Sequence, residues 1–276
     1  MSYTPLQLAE AFIQAGELND AVDALTQHLD ANPDDDAARR LRAQVLARMP
    51  DATHLRLADS DLSKLSNPTT DDAIWRSIVL QRLGDNDGAA ALLADLHAND
   101  PENERIAERY FDTLLGQGRY AEAQTVRDKM PDSWDWLQRS AILAEFQEQQ
   151  EQAVHYLTQA LADLETQFDL ASDAFAQSIK GSFLNQRAHD YLELQLFREA
   201  EADFAAAEVL LPDDPSPTFW HGIIAAERGD IEQGLALCRA AFANASDGWR
   251  AQMVASLRVI RDDERYRALA DAILAE

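Results

Sequence analysis

The apolar residues between positions 184 and 212 recur at the period of an α-helix in two successive blocks. In each block they stand at i, i+4 and i+7, on one face of a helix: Leu184, Ala188 and Tyr191, then Ala200, Phe204 and Ala207. Gln195 and Leu196 separate the blocks, and Pro212 ends the second because proline has no amide hydrogen to offer. The pattern predicts two helices joined by a tight turn, with their apolar faces in contact.

The same pattern recurs at a regular interval along most of the chain, which is typical of a repeat protein. The small residue of the second helix is matched at Ala21, Leu55, Ala89, Ala123, Ala153, Ala200, Gly234 and Ala268. The small residue of the first helix is matched at Ala9, Ala43, Ser77, Phe111, Ala141, Ala188, Gly222 and Ser256. Three residues later stand Phe12, Leu46, Leu80, Leu114, Ala144, Tyr191, Ala225 and Val259. Agreement across these columns predicts an array of helix pairs.

Glycine, proline and N-cap residues mark the ends of the predicted helices. Glycines that close the first helix recur at Gly16, Gly84, Gly118 and Gly229. Prolines close the second helix at Pro33, Pro101 and Pro212. At the N-terminus, Thr4, Pro5 and Gln7 supply an N-cap, a first-turn proline and a glutamine at N3, so the first helix is expected to begin there.

Two intervals depart from the regular spacing. The interval from Ala123 to Ala153 is shorter than the others, and the interval from Ala153 to Ala200 is longer. The added segment, 168–180, carries Phe168, Ala171, Phe175 and Ile179 at helical spacing, so lengthened helices are expected around it. We therefore predict one continuous array with an N-terminal sub-array at 1–167, an irregular extended-helix insertion at 168–180, and a C-terminal sub-array with a cap at 181–276.

These columns resemble the tetratricopeptide repeat, a helix-turn-helix unit with small residues at its positions 8 and 20 and a proline at 32. The resemblance covers nearly the whole chain and implies an all-α fold. The expected architecture is a right-handed α-solenoid of about seven to eight repeats that ends in a C-terminal capping helix pair. Each pair leaves an apolar face that only its neighbours cover, so the pairs are expected to stack.

The net charge of the chain limits the classes of molecule that are expected to bind it. The 276 residues include 24 basic and 49 acidic ones, for a net charge of −25. Phosphate recognition needs concentrated Lys and Arg, so binding of nucleic acid is not expected, and basic partners fit better. The favoured interpretation of so acidic and lysine-poor a surface is a solubility or salt adaptation. The chain has no apolar run long enough to span a membrane, and its start lacks the segments of a secretory signal, which predicts a cytoplasmic protein without membrane insertion.

Motifs for catalysis or metal binding are lacking in the sequence. There is no glycine-rich phosphate loop, nucleophile elbow or metal-ligand spacing, and the one cysteine, Cys238, is expected in the core. Runs of aspartate at 34–36, 71–72, 213–214 and 262–263 fall at unit boundaries, where they cap the following helix. We therefore predict no enzymatic activity, no catalytic residue, no metal site and no cofactor.

Resemblance to the family also implies which residues line the concave inner face, where partner peptides usually lie. The candidate partner-binding residues are Trp75, Ile78, Arg82, Arg105, Arg109, Asp112, Gln138, Arg139, Asn185, Gln186, His189, Phe219 and Trp220. Arginine forks match carboxylates, and tryptophan offers large apolar contact, a mixture typical of an anchor site. In the alternative, Arg82, Arg109 and Arg139 pair with acids of neighbouring helices while the tryptophans fill gaps between units.

Taken together, these features favour a scaffold or adaptor that binds a protein or peptide segment in its concave groove. The alternative is a ligand- or peptide-sensing regulator that acts through a partner protein. The clamp of Lys and Asn by which chaperone adaptors of this family grip a C-terminal carboxylate is not matched, so chaperone tails are not expected as ligands. The identity of the partner does not follow from fold or sequence.

Overall fold

The computed structural model describes residues 4–275, which form sixteen α-helices and no strand. By contacts between Cα atoms the chain divides into two compact units: unit 1 ends at Met130 and unit 2 begins at Pro131. Unit 1 contains α1 (Pro5–Ala15), α2 (Leu18–Ala31), α3 (Asp36–Leu46), α4 (Ala52–Ser63), α5 (Thr70–Arg82), α6 (Asn86–Asn99), α7 (Glu104–Gly116) and α8 (Tyr120–Arg127). Unit 2 contains α9 (Trp134–Phe146), α10 (Gln150–Gln167), α11 (Ala174–Glu193), α12 (Phe197–Leu210), α13 (Ser216–Glu227), α14 (Ile231–Asn244), α15 (Asp247–Ile260) and α16 (Glu264–Leu274).

The predicted sub-arrays include residues 1–3 and 276, which lie outside the described residues. The described chain is all-α, as expected. The boundary between the two compact units stands well before the segment 168–180, so the division predicted there, like the number of repeats and their handedness, stays a prediction.

Small residues stand where consecutive helices pack. In unit 1, each helix from α1 to α8 packs against the next, and Ala9, Ala21, Ala89 and Ala123 are fully buried. In unit 2, α9 to α14 pack in the same sequence, and Ala141, Ala153, Ala188 and Ala200 are fully buried. A small side chain at a helix crossing allows axes about 8–10 Å apart. The predicted columns of small residues are confirmed in these pairs.

Backbones of α13 and α14 approach too closely for a side chain at their crossing. A Cβ atom added at Gly222 would lie 2.9 Å from the carbonyl oxygen of Gly234 and 2.7 Å from Sγ of Cys238. A Cβ atom added at Gly234 would lie 2.8 Å from the carbonyl oxygen of Gly222. Only glycine fits at these two positions, because the neighbouring atom is backbone and cannot swing away. Cys238 is fully buried in this packing, as expected.

Left-handed residues close the first helix of most pairs. The four predicted glycines have φ between 71° and 87°: Gly16, Gly84, Gly118 and Gly229. At the corresponding place in the α9–α10 and α11–α12 pairs, Glu148 and Gln195 take the same conformation, each with a φ of 59°. An L-residue in this region costs roughly 1–2 kcal/mol, so the turn is imposed there by packing of the two helices.

The predicted starts of α1, α3 and α16 are confirmed, whereas the N-cap of α5 is Thr69 and that of α13 is Pro215, not the neighbouring aspartates. Thr4 and Gln7 form a capping box at α1, with Pro5 in the first turn. Asp35 accepts hydrogen bonds from the amides of the first turn of α3, and Asp263 caps α16 in the same way. These aspartates act in capping, where a carboxylate also lies at the positive end of the helix dipole.

The segment before α11 differs from its expected form. Lengthened helices are found, since α10 has 18 residues and α11 has 20, the longest two among those described. The helical spacing assigned from Phe168 onward was wrong, because Phe168 and Ala171 lie in the connection. Asp173 starts α11 instead by accepting hydrogen bonds from two first-turn amides, and Phe168 packs on the edge of Trp134.

The last helix pair does not follow the burial pattern of the earlier pairs. Val259 is 79% exposed and Ala268 is exposed, whereas most residues that match them in the earlier pairs are buried. The buried residues are Met253, Leu257, Leu269, Ala270 and Ile273. Here α16 packs against both α13 and α14, whereas α15 packs against α16 and more sparsely against α13. The two helices therefore present other faces to the core than their counterparts in earlier pairs.

The α13–α14 contact generates a stability prediction. Gly222→Ala should lower the free energy of unfolding by about 1–3 kcal/mol, because the added methyl group overpacks a backbone contact. The matched control is Gly116→Ala, at the end of α7, where an added Cβ meets no atom within 4 Å. Urea unfolding followed by circular dichroism measures both. Equal stability of the Gly222 variant and the wild type would contradict the close approach.

Candidate functional site

Two adjoining cavities lie on the first helices of unit 2. The larger has a volume of about 410 Å³ and the smaller about 120 Å³. His189 of α11, Trp220 of α13 and Ser256 of α15 line both of them. The cavities therefore form one continuous depression, which we call the unit 2 groove.

The order of packing explains why these helices line the groove. The second helices α12 and α14 pack on α11 and α13, and Phe204 of α12 stands edge-on to His189. The parts of His189 and Trp220 that these contacts leave open line the cavities. At the far end, α16 contributes Arg265 and Tyr266 to the larger cavity. Within it, Val259 is 79% exposed and Ile260 is half-buried, so apolar surface is open to a ligand.

A cluster of rings holds His189 in place. Its imidazole stands edge-on to Phe204 at 5.3 Å and to Trp220 at 4.8 Å between ring centroids. Burial lowers the pKa of His189 to about 4, and the nearby Asp214 carboxylate only partly offsets this effect. The imidazole is therefore neutral at physiological pH, with one donor and one acceptor nitrogen.

Two enclosed polar atoms at the smaller cavity lack hydrogen-bond partners among the described residues. They are Oγ of Ser216, at the start of α13, and Oδ1 of Asn185 on α11. Ser216 is 7% exposed. Buried polar atoms are nearly always paired in folded proteins, so these two oxygens are available to a donor from water or from another molecule.

A polar network joins α9 to α11 beside the groove. Nε2 of Gln138 donates to Oε1 of Gln186 at 3.3 Å, and Nε2 of Gln186 donates to Oε1 of Glu145 at 2.7 Å. Asp190, on the next turn of α11, is 4% exposed. Burial raises the pKa of Asp190 to about 8, and the neighbouring Glu145 carboxylate acts in the same direction. Burial raises the pKa of Glu145 as well.

Several of the arginines predicted for partner binding make hydrogen bonds within the protein. In unit 1, Arg82 donates to the carbonyl oxygens of Ala47 and Met49, at the end of α3. Arg109 donates to the side chains of Ser77 and Gln81 on α5, and burial lowers its pKa. These contacts join helices, although the partners are carbonyl and polar groups and not the acids of the alternative interpretation.

Other predicted residues of unit 1 are more accessible. Arg105 pairs with Asp71 at 2.6 Å, and both side chains are more than half exposed. Trp75 is 37% exposed, Ile78 is half-buried and Asp112 is exposed. An exposed ion pair contributes little to stability, so Arg105 and Trp75 are the residues of this set most open to a partner.

In unit 2, the predicted residues separate into two groups. Asn185, His189 and Trp220 come together at the groove, whereas Arg139 lies 5.2 Å over the ring of Trp136 and 3.9 Å from Asp135 of its own helix. Phe219 is 1% exposed and packs edge-on against Trp220, and it also lines the smaller cavity. The role of these residues in partner binding stays a prediction.

Residues that sequence reasoning missed come from the end of unit 2. Ser216 precedes the mapped positions of α13, and Trp249, Ser256, Arg265 and Tyr266 belong to the last helix pair. The pair was expected to act as the cap of the array, and Ser256 was matched only to the small residue of the first helix. The large aromatic side chains of Trp249 and Tyr266, so near the end of the array, were the signal that this pair also contributes a surface.

Comparisons with known proteins agree on one fold. Two sequence models described as tetratricopeptide repeat match the chain, one at residues 80–133 and the other at residues 6–53 and 185–248. Together these ranges make up more than half of the chain. By sequence, no curated protein matches significantly. None of the described helices combines the length and apolarity needed to cross a membrane.

Solved structures of low sequence identity show the same architecture. A tetratricopeptide repeat protein from Parabacteroides merdae is 15% identical, with a TM-score of 0.65 over 88% of this chain and 93% of the other. The C-terminal part of a repeat-containing protein from Cytophaga hutchinsonii is 12% identical, with a TM-score of 0.59 over 86% and 92%. Human IFIT1, as a dimer with PPP-AAAA, is 13% identical, with a TM-score of 0.54 over 91% and 61%. At such identities the likeness concerns the fold alone.

The buried carboxyl of Asp190 generates a prediction on pH. Its pKa is raised from 3.8 to about 8, so between these values the folded chain keeps a proton that the unfolded chain releases. Stability should fall as pH rises through this window, by up to about 1.4 kcal/mol per pH unit for one proton. Asp190→Asn should flatten that fall and gain stability over the wild type toward the alkaline end.

Urea unfolding at a series of pH values across this window checks the prediction. The control is Asp213→Asn, which removes an exposed carboxyl and should leave the slope unchanged. If the wild type and the Asp190 variant have the same slope, the buried carboxyl does not retain its proton.

Proposed function

Because the chain belongs to the tetratricopeptide repeat family, we propose that it is a non-enzymatic scaffold or adaptor whose unit 2 groove binds a peptide or protein segment of a partner. One observation carries the proposal. The groove is a continuous depression on three consecutive first helices, and its lining is aromatic and apolar with a few polar atoms. Such a surface suits anchoring side chains of a bound segment.

The composition of the larger cavity supports this use. Trp220, Tyr266 and Ile260 offer flat apolar contact, while Glu193 and Arg265 stand at the same cavity with opposite charges. Arg265 is itself paired with Asp263 and Glu227, at 2.6 and 2.7 Å, which fixes its position. A segment bound here gains most from aromatic contact, and the charges set its orientation.

The state of His189 favours binding over catalysis. An effective general base at neutral pH needs a pKa near that pH. Burial keeps the pKa of His189 at about 4, so its imidazole accepts a proton only in acid. In the proposed function it acts as a neutral hydrogen-bonding group and as support for Trp220.

Electrostatics favour a basic partner. A net charge of −25 creates a field that repels phosphate backbones and attracts cationic segments. The proposal therefore excludes nucleic acid as the ligand. The cytoplasmic location stays a prediction from the sequence.

The function is tested by substitution of an exposed groove residue that no core packing needs. Val259→Arg places a long cation in the larger cavity, and Val209→Arg makes the same change on α12, away from the groove; both valines are 79% exposed. Peptides selected from a random-sequence display library against the wild type should bind the Val259 variant at least about tenfold more weakly, equivalent to about 1.4 kcal/mol. The Val209 variant should bind them as the wild type does.

Fluorescence polarisation with labelled peptides gives the affinities. Selected peptides that bind the Val259 variant as tightly as the wild type would place their site elsewhere. A library from which no binder is recovered would count against peptide binding altogether.

A further inference from the structure

We infer that the smaller cavity of the unit 2 groove accepts the side chain of a lysine from the bound segment. The inference rests on the proposed function and adds the chemistry of one anchoring residue. Its basis is the set of groups that line this cavity of about 120 Å³: three hydrogen-bond acceptors without partners among the described residues, and two indole rings.

The acceptors come from two helices, Ser216 from α13 and both Asn185 and His189 from α11. Oγ of Ser216 and Oδ1 of Asn185 are enclosed and make no hydrogen bond with any described residue. His189 lines the same cavity and likewise has no hydrogen bond in the described part of the chain. As a neutral imidazole, it offers one acceptor nitrogen. An alkylammonium has three donors and no acceptor, which matches three acceptors.

Aromatic and electrostatic surroundings favour a cation over a neutral group. Trp220 and Trp249 both line the cavity, and indole is the best of the aromatic rings for binding a cation over its face. No Lys or Arg is among the described residues that line it. Asp214 is close enough to His189 to act on its protonation, and its carboxylate also accepts from the amide of Ser216 at 2.8 Å. The local field is therefore negative, in the same sense as that of the whole chain.

The cavity distinguishes lysine from arginine. A guanidinium carries five N–H donors in a rigid plane, so at least two of them would be left without an acceptor here. An unpaired donor in an enclosed site loses its hydration without compensation. The compact ammonium with its flexible stem fits the small cavity and leaves the larger one for the rest of the segment.

The first experiment uses n-butylammonium as the probe, with n-butanol and n-butylguanidinium as comparisons. Binding is followed by ¹H–¹⁵N NMR of the indole N–H signals, assigned by Trp→Phe variants at positions 220 and 249. We expect saturable shifts of these two signals with n-butylammonium, and binding at least about tenfold weaker for the other two compounds. Equal binding of either comparison compound would overturn the assignment to lysine.

Two variants test the acceptors. Asn185→Asp replaces an amide by a carboxylate of the same shape, so n-butylammonium should bind about tenfold more tightly. Ser216→Ala should weaken its binding about fivefold. The control, Ser182→Ala, removes an exposed hydroxyl that bonds to Ser178 on the same helix, and it should have no effect. Unchanged binding in the Asn185 variant would overturn the inference even if the Ser216 variant fails to fold.

The selected peptides separate failure of this inference from failure of the proposed function. The test uses selected peptides whose binding is lost in the Val259→Arg variant. When each lysine of such a peptide is replaced in turn by norleucine, one replacement should weaken its binding to the wild type at least about tenfold. If no replacement weakens it, the groove binds peptides but the lysine site is wrong. If the peptides bind the Val259→Arg variant as tightly as the wild type, the groove assignment itself fails.

Discussion

Close approach of two helix backbones in each pair is the constraint on which this protein depends. Both crossing residues are fully buried alanines in the α1–α2, α9–α10 and α11–α12 pairs, and both are glycines, Gly222 and Gly234, in the α13–α14 pair, where carbonyl oxygens leave no room for a Cβ atom. The second helix covers only part of the first, so surface remains on α11, α13 and α15. The groove lies on this remaining surface, with further residues from α16, and Phe204 of α12 supports His189 from the packed side.

Many arginine side chains form ion pairs within the protein, which limits the positive charge that is available to a partner. Arg42 forms two hydrogen bonds with the buried carboxylate of Asp61, and Arg187 does the same with Asp203, in each case between the two helices of a pair. Such bidentate pairs fix the register of one helix on the other. With acidic residues in twofold excess, most arginines find a carboxylate nearby, and the surface that remains is strongly negative.

The candidate site was predicted in part. The repeat register predicted Asn185, His189 and Trp220, because the helical period places each of them on the mapped face of its own helix, whatever residues surround it. Arg82 and Arg109 were assigned to the same kind of surface, but long side chains reach carbonyl and amide groups on the preceding helices. The helical period gives the direction in which a Cβ atom points, but it does not give the position that the guanidinium of a long arginine side chain reaches. For the same reason, the polar atoms of Ser216 and the contribution of α16 could not be read from spacing.

The sequence by itself determined the all-α class, the pairing of helices, their caps and the glycine turns, because these depend on residues close together in the chain. It also determined that α10 and α11 are long. Only the tertiary structure decided that Glu148 and Gln195 adopt left-handed turns and that the last pair exposes Val259. In both cases the contacts come from other helices. Such contacts outweigh local preference, since burial of one large apolar side chain contributes about 1.5–3 kcal/mol, more than a turn or register preference costs.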